Sequence, residues 1–224
     1  MNVNQVYELC QYICAKNRQQ GYLSPNDFNT AINTAQRSYL DYLLGQYQKY
    51  APYRPIAVVE MGQTERIRQS LAPLIYGTVL SINGVTGISP FPSDFESMDN
   101  MWSVYGHYNI RFVQQPRLDS FYHSTIDPIP QNPVYLIRHE GFQFYPETIG
   151  QARLSYVRNA PAITWGYQYD YNGIPQYDPT TSQDPVWSDT DMLNIIVRAL
   201  AMVGVSMQFS AVVQYSNEIK NGGQ

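Results

Sequence analysis

The spacing of the apolar residues changes twice along the chain, and this change limits the possible folds. At both ends, apolar residues recur every three or four positions, as on the buried face of a helix. From about Tyr76 to Trp187, short aromatic and branched runs alternate with Gly, Pro and Asn, which is typical of strands joined by turns. The chain therefore predicts an α+β fold. Residues 1–60 and 188–224 would pack as one helical bundle enclosing a central antiparallel β-rich insertion, residues 61–187, with a protruding arm.

Helices are predicted at both ends, and two of them have clear start signals. Ser24 stands before Pro25 and Asp27, which gives an N-cap, a proline suited to the first turn and a carboxylate that complements the helix dipole. Ser188 is the corresponding cap at the other end. The predicted buried rows are Val3, Val6, Cys10 and Ile13; Phe28, Ile32, Ala35, Tyr39 and Leu43; Met192, Ile195, Ala199 and Val203; and Val212, Tyr215 and Ile219.

Residues 141–158, GFQFYPETIGQARLSYVR, predict two strands joined by a short polar break. Side chains alternate between the two faces of a strand, so the apolar residues of both strands can share one face of an antiparallel hairpin. That shared face contains Phe142, Phe144, Leu154 and Tyr156. One helix is also predicted in the β-rich insertion, over residues 116–124.

The segment WGYQYDYNGIPQYDPTTSQDPVW, residues 165–187, predicts an extended arm. Asn172 and Gly173 form a tight-turn signal between tyrosine-rich flanks, and Pro175 keeps the segment out of the middle of a sheet. Connections of this length are usually functional or disordered, and the aromatic content argues against disorder. We expect the arm to dock on a neighbouring subunit; the alternative is an arm folded onto its own domain.

The composition favours a surface made for protein contacts. Charged residues make up 14% of the chain, against ~25% in ordinary globular domains. Tyrosine occurs 20 times, and of the 14 basic residues only Lys16, Lys49 and Lys220 are lysine. Interfaces are rich in Tyr and Arg because a phenol ring adds area at little entropic cost and a guanidinium is weakly hydrated. A lineage bias in amino-acid usage is the alternative. The predicted subunit-interface residues are Trp165, Tyr167, Tyr169, Tyr171, Tyr177, Arg153 and Arg158.

The charge and apolar patterns argue against three classes: nucleic-acid binders, secreted proteins and membrane-spanning proteins. A formal net charge of −4, without clustered Lys or Arg, argues against a general nucleic-acid binder. The N-terminal stretch MNVNQVYELCQ is interrupted by polar residues and does not resemble a secretory signal. The longest apolar run contains Arg198 and is too short to span a bilayer. We expect a soluble protein made in a cytoplasm.

The possible metal ligands do not form a recognisable site. Cys10 and Cys14 lie four residues apart on a helical pattern and predict buried, reduced thiols, because a metal site would need two more ligands. Asp189 and Asp191 resemble ligands but stand at a helix start, where the dipole stabilises carboxylates. The histidines are far apart: His107, His123 and His139. No metal or other cofactor is predicted.

Catalytic motifs are also missing from the sequence. Asp94, Glu96 and Asp99 could supply an acid/base pair for glycoside cleavage, but we favour a turn in which the side chains of Ser93 and Asp94 bind backbone donors. The sequence contains no GxSxG, P-loop, HExxH or helix-opening GxGxxG motif. We therefore predict a protein that is not an enzyme.

The order of parts resembles a known family. Two leading helices, a Pro-Ser-Asp-Phe turn at 92–95, the GFQFYP…ARLSYVRNAP segment, and PVWSDTD followed by a helix are similar to the head-to-tail adaptor and tail-ring (connector) proteins of short-tailed bacteriophages, most of all to ring proteins of crAss-like phages. The resemblance spans nearly the whole chain. It implies a dodecamer, a ring of about twelve copies in the neck or tail of the virion, assembled in the host cytoplasm.

The resemblance also implies partners and a role. Portal protein and neighbouring tail or ring proteins would be the partners, and DNA would pass through the lumen during ejection without specific binding. Some adaptors end in a long tail that enters the portal, whereas only Asn-Gly-Gly-Gln follows Lys220 here. We therefore expect no C-terminal insertion into the portal, and a ring lower in the stack fits equally well.

Two other functions remain open at this point. A virion glycan-binding module would use Trp102, Trp165 and Trp187 as stacking platforms for sugars. A cell-wall-degrading tail protein would depend on Asp94 and Glu96. Neither alternative explains the helical segments at both ends of the chain.

Overall fold

The structure, a computed structural model, describes residues 1–16, 23–47, 58–122 and 128–206. Its fold is mixed α+β, as predicted. In the described residues the helices are α1 (Val3–Lys16), α2 (Pro25–Tyr47), α3 (Val58–Leu71), α4 (Gln115–Tyr122) and α5 (Asp189–Ser206). The strands are β1 (Ile75–Ser81), β2 (Ile88–Ser89), β3 (Phe95–Ser103), β4 (Arg111–Phe112), β5 (Val134–Arg138), β6 (Gly141–Tyr145), β7 (Gln151–Arg158), β8 (Tyr167–Tyr169) and β9 (Pro175–Tyr177).

The chain divides into two compact units. The helical unit is made of Met1–Pro73 and Ala160–Gln224, and the β-rich unit is Leu74–Asn159. The predicted boundaries therefore need correction, because residues 61–73 and 160–187 belong with the helices and not with the β-rich insertion. Residues 61–71 are the continuation of α3, and residues 160–165 are bound to α2 by hydrogen bonds.

The predicted buried rows are confirmed for α2 and α5, where every named residue is buried. In α1 the row differs by one position, because Ile13 is only half-buried and Cys14 takes its place in the core. The burial predicted for Cys10 and Cys14 is confirmed, and neither forms a disulfide. Burial raises the pKa of the Cys10 thiol to about 12, so it stays protonated at neutral pH. The last predicted row, Val212, Tyr215 and Ile219, lies outside the described residues.

Both predicted caps are confirmed, and they have the same local geometry. Ser24 Oγ donates to Asp27 Oδ2 at 2.6 Å and accepts from the Asp27 N–H at 3.2 Å. Ser188 makes the same two bonds with Asp191, at 2.6 and 3.2 Å. The surroundings differ, because Asp27 is exposed, whereas Asp191 is buried and also accepts from Tyr39.

This matched pair of caps gives a first prediction. Ser24→Ala should lower the free energy of unfolding by about 1 kcal/mol, the usual cost of losing an N-cap. Ser188→Ala should cost about 2 kcal/mol, because it also removes a donor from the buried Asp191 carboxylate. Urea titrations of the two variants, followed by circular dichroism, measure the difference. Equal losses would mean that burial adds nothing to the second cap.

Helices α2 and α5 are joined by hydrogen bonds between side chains. The Tyr39 hydroxyl donates to Asp191 Oδ1 at 2.6 Å, and the Trp187 indole N–H donates to Gln36 Oε1 at 3.0 Å. Burial, and then the bond to Asp191, raise the pKa of Tyr39, so its hydroxyl stays protonated and can donate. Both bonds lie next to the start of α5 and fix it against the middle of α2.

The β-rich unit contains two sheets with a shared core. In the first sheet, β7 lies between β1 and β3 and is antiparallel to both. The second sheet has the order β2-β6-β5-β4, in which only the β4–β5 pair is parallel. The predicted helix at 116–124 is confirmed as α4 up to Tyr122, and residues 123 and 124 lie outside the described residues.

The predicted 141–158 hairpin is wrong in its strand pairing. β6 pairs with β2 and β5, whereas β7 pairs with β1 and β3, so the two strands belong to different sheets. The predicted shared face is nevertheless correct, because all four side chains lie in one buried cluster. These four are Phe142, Phe144, Leu154 and Tyr156. Apolar alternation in the sequence indicates which side chains face the core. The alternation is the same whether two strands pair in one sheet or lie in two packed sheets, so it does not predict the pairing.

Candidate functional site: an aromatic hairpin on an amide ladder

The base of the predicted arm is bound to α2 by a row of side-chain amides. Asn33 Oδ1 accepts from the Ile163 N–H at 2.9 Å, and its Nδ2 donates to the Ile163 carbonyl at 2.7 Å. Asn29 pairs in the same way with both backbone groups of Trp165, at 2.8 and 3.2 Å. Residues four apart on a helix and residues two apart on an extended strand are separated by nearly the same distance. The amides of Asn29 and Asn33 can therefore pair with Trp165 and Ile163 as a neighbouring strand would.

Trp165 lies at the top of this ladder and is directed inward. Its side chain is 4% exposed, its ring stacks on Tyr7 with centroids 4.2 Å apart, and its indole N–H donates to Asn4 Oδ1 at 3.0 Å. The prediction that Trp165 lies at a subunit interface therefore needs correction, because its ring faces are covered by its own helical unit.

From Trp165 a row of rings extends to the surface. The Tyr167 ring stacks on the Trp165 ring with centroids 5.8 Å apart. The Tyr177 ring, on β9, lies 5.9 Å from the Trp165 ring between centroids. Tyr169 meets the face of Tyr167 edge-on at 5.3 Å and is 66% exposed. Such ring pairs contribute about 0.5–1.5 kcal/mol each beyond their buried area, so the row stiffens the hairpin that carries it.

The tip of the hairpin is a closed turn with exposed apolar side chains. Asp170 Oδ1 accepts from the backbone N–H groups of Asn172 and Ile174, each at 2.8 Å, and Gly173 has a φ of 74°. This confirms the predicted Asn-Gly turn. Tyr171 is fully exposed and Ile174 is more than half exposed. The turn therefore presents an apolar surface on an ordered backbone.

The stem below the tip is closed by Asp178. Its carboxylate accepts from the N–H and hydroxyl of Thr180 at 2.9 and 2.6 Å, and from Gln168 Nε2 at 2.8 Å. The bonds from Thr180, followed by the bond from Gln168, hold the pKa of Asp178 at about 2, well below its ordinary value of 3.8.

This shift predicts how the hairpin responds to acid. The folded form binds the Asp178 proton more weakly than the unfolded form, so its stabilising effect is complete above pH 3.8 and disappears as the pH falls toward 2. We expect the NMR signals of the Thr180 backbone N–H and of the Gln168 side-chain amide, which donate to Asp178, to change in that window in the wild type. In Asp178→Asn, whose side chain does not titrate, this change at Thr180 and Gln168 should be missing. A change centred on 3.8 in the wild type would contradict the assignment.

A shallow groove of about 540 Å³ runs between α1 and the hairpin. Residues of the two sides line it: Asn4, Tyr7, Glu8 and Gln11 from α1, and Gly173 to Tyr177 with Trp165 from the hairpin side. Gln11 Nε2 donates to the Tyr7 hydroxyl at 2.6 Å, and Asn4 Nδ2 donates to Glu8 Oε1 at 2.7 Å. Rings, amides and a carboxylate of this kind suit contacts with a polypeptide.

The two predicted arginines lie in the β-rich unit, apart from the five hairpin residues. Arg153 is exposed on β7, directly opposite Val79 on one side and Trp102 on the other. Arg158 is half-buried, and its guanidinium carbon is 4.4 Å from the centroid of the Tyr76 ring. The structure thus brings Trp165, Tyr167, Tyr169, Tyr171 and Tyr177 together and places the arginines elsewhere.

Four of the side chains suggested for catalysis or sugar stacking have structural partners: Asp94, Asp99, Trp165 and Trp187. Asp94 accepts from the Tyr156 hydroxyl at 2.8 Å, and Asp99 accepts from Ser155 Oγ at 2.8 Å. Trp187, like Trp165, is buried and donates its indole N–H within the helical unit. Neither tryptophan offers a ring face to a sugar. Within the described parts of the chain, no three His, Cys, Asp or Glu side chains are grouped as a metal site requires.

No protein-family model matches the chain, and no curated protein matches it significantly. None of the described helices is both long enough and apolar enough to cross a membrane.

Proposed function

We propose that this chain is a structural subunit of a phage virion without enzymatic activity. In this proposal it forms a ring-shaped head-to-tail connector that joins the portal to the tail and forms part of the DNA conduit. The observation that carries the proposal is the aromatic hairpin, whose tip exposes Tyr169, Tyr171 and Ile174 on an ordered stem.

An exposed aromatic tip on a stiff stem suits docking to another protein. Binding costs side-chain and loop entropy, and a tip that is already ordered loses less of it. Tyrosine is enriched in the contacts that dominate protein interfaces, because its ring adds area with only two torsions. A tip serving only as a solvated loop would need neither the rings nor the Asp170 and Asp178 bonds beneath them.

The helical ends are proposed to form one bundle that encloses the β-rich insertion, as in the connector proteins that the sequence resembles. The bonds of α5 to α2 through Asp191 and Trp187 support this arrangement. A ring built on such a frame would have two lateral neighbours per subunit and axial contacts with portal and tail proteins.

The charge of the chain fits a conduit. If about twelve copies assemble, twelve times −4 gives a ring of about −48. A negative lumen repels duplex DNA evenly, so DNA slides through instead of binding. The ring would belong to the neck or tail of the virion and would assemble in the host cytoplasm.

The experiment that tests the proposal removes the tip while keeping the stem. The double variant Tyr171→Ser/Ile174→Ser should reduce ring assembly on purified portal particles by at least about tenfold, because buried anchors of this type contribute 1.4 kcal/mol or more. Tyr105→Ser, which removes a ring that is 69% exposed on the β-rich unit, is the control and should assemble normally. Normal assembly of the tip variant would contradict the proposal.

A further inference from the structure

Two exposed turns in the described residues contain the dipeptide Asn-Gly, and their hydrogen bonds differ. One is Asn83–Gly84, in the loop after β1, and the other is Asn172–Gly173, at the tip of the β8–β9 hairpin. Glycine has no Cβ, so the main-chain nitrogen after the asparagine can reach the side-chain carboxamide with little hindrance. The protein therefore contains two sites for the same reaction in different surroundings.

The Asn83 side chain is folded over the peptide bond that follows it. Asn83 Oδ1 accepts from the Val85 N–H at 2.9 Å and from the Thr86 N–H at 3.4 Å. A bond from a side-chain oxygen to the N–H two residues on brings the carboxamide close to the intervening peptide nitrogen. The same two N–H groups stabilise the negative charge that Oδ1 gains when Cγ is attacked, as the donors of an oxyanion hole do.

The main-chain nitrogen of Gly84 donates to no acceptor among the described residues. It can therefore approach the Asn83 carboxamide without first losing a hydrogen bond. A Cβ placed at residue 84 would meet no atom within 4 Å, so the loop has room for a succinimide ring. The next residue, Val85, is 83% exposed, and water can reach the ring to open it.

The turn at Asn172 has the opposite arrangement. The Gly173 N–H donates to the Asp170 carbonyl at 3.0 Å, so this nitrogen must lose a hydrogen bond before it can attack. The Asn172 side chain accepts no hydrogen bond within the described residues, and the Asp170 carboxylate beside it opposes a further negative charge. The hydrogen bond of Gly173 alone should slow the reaction by about two- to tenfold.

We propose that Asn83 is a site of self-modification, at which the folded protein forms a succinimide and then aspartate or isoaspartate. The Gly84 nitrogen attacks Asn83 Cγ, its proton passes through water to Nδ2, and the Cγ–Nδ2 bond breaks to release ammonia. Water then opens the ring at either carbonyl, and nothing is oxidised or reduced. The reaction needs no second copy of the chain, so it does not rest on the proposed ring.

The modification changes the loop that joins β1 of one sheet to β2 of the other. The Asn83 N–H donates to the Ile88 carbonyl at 3.0 Å, and the Asn83 carbonyl accepts from the Gly87 N–H at 2.7 Å. In isoaspartate the main chain runs through the former side chain, and the former main-chain carbonyl becomes a free carboxylate. The loop is then longer by a carbon atom and carries an additional negative charge.

Peptide mapping of the full chain tests the proposal, with Asn172 as the internal control. The folded protein is incubated at neutral pH, and mass spectrometry with isoaspartate detection follows both asparagines over time. We expect isoaspartate to accumulate at least about tenfold faster at residue 83 than at residue 172, because only Asn83 has a free nucleophile and donors to Oδ1. In concentrated urea the two rates should be similar, because each Asn-Gly is followed by a β-branched residue.

The variant Gly84→Ala separates ring closure from direct hydrolysis by water. Since a Cβ fits at residue 84, the variant should fold as the wild type does, but its methyl group hinders the attacking nitrogen. Isoaspartate at residue 83 should then fall severalfold. Isoaspartate that forms no faster at residue 83 than at residue 172 in the folded protein would overturn the proposal. So would aspartate without isoaspartate at residue 83, or a difference between the two sites that persists unchanged in urea.

Discussion

Replacing Trp165 with alanine should destabilise the helical unit by about 3–5 kcal/mol, the usual cost of truncating a fully buried tryptophan. The substitution removes the ring that stacks on Tyr7 and the N–H that donates to Asn4, and it opens a cavity at the base of the hairpin. Hydrogen exchange measures the loss directly. Amides of α1 and α2 should exchange roughly a hundred to several thousand times faster, since each 1.4 kcal/mol is a factor of ten.

Two comparisons separate packing from hydrogen bonding at this position. Trp165→Phe keeps most of the buried area but cannot donate to Asn4, so it should cost clearly less than the alanine variant. Tyr171→Ala removes a fully exposed ring of the same hairpin and should change stability by no more than about 0.5 kcal/mol. If Trp165→Ala were as mild as Tyr171→Ala, the base of the hairpin could not be packed as described.

Phe142→Ala should have an effect of similar size on the β-rich unit, again about 3–5 kcal/mol. Phe142 is completely buried, and its ring meets Phe91 at 4.6 Å, Phe95 at 5.4 Å and Tyr135 at 5.7 Å between centroids. Urea unfolding followed by the near-ultraviolet signal of the aromatic residues measures this loss.

An exposed residue of the neighbouring strand provides the control for Phe142. Ile137 pairs with Phe142 in the sheet but is more than half exposed, so Ile137→Ala should cost less than about 1 kcal/mol. A small effect of Phe142→Ala would mean that the two sheets do not share a core. Phe142→Ala and Ile137→Ala would then have similar effects. The packing of β6 and β7 from two sheets onto one core, which explains the shared apolar face of residues 141–158, would be contradicted.

The helices could be predicted from the sequence because their signals are local. Ser24 and Ser188 each precede an aspartate by three residues, and both pairs form the expected caps. The rows on α2 and α5 follow from helical spacing, which needs no knowledge of the partner. Helix α3 was not predicted, because its VVEMGQTERIRQSL sequence has few apolar residues and no clear apolar stripe.

Strand pairing and the base of the hairpin were harder to predict because they depend on distant residues. β6 and β7 have the alternation of a hairpin, yet β6 pairs with β5 just before it and with the more distant β2, whereas β7 pairs with β1 and β3 from much earlier in the chain. Composition identified the tyrosines of segment 165–187 but could not separate the buried Trp165 from the exposed Tyr171. The amides of Asn29 and Asn33, one turn apart beside the apolar row of α2, are the signal that could have located the base.

Assembly on a template is the most direct test of whether the chain is a repeated building block. Native mass spectrometry and negative-stain imaging of the full chain, mixed with purified portal particles of the proposed virion, give both copy number and shape. We expect a closed ring of about twelve copies seated on the portal or on another neck component. A chain that stays monomeric and binds neither the portal nor any preassembled neck component would contradict it.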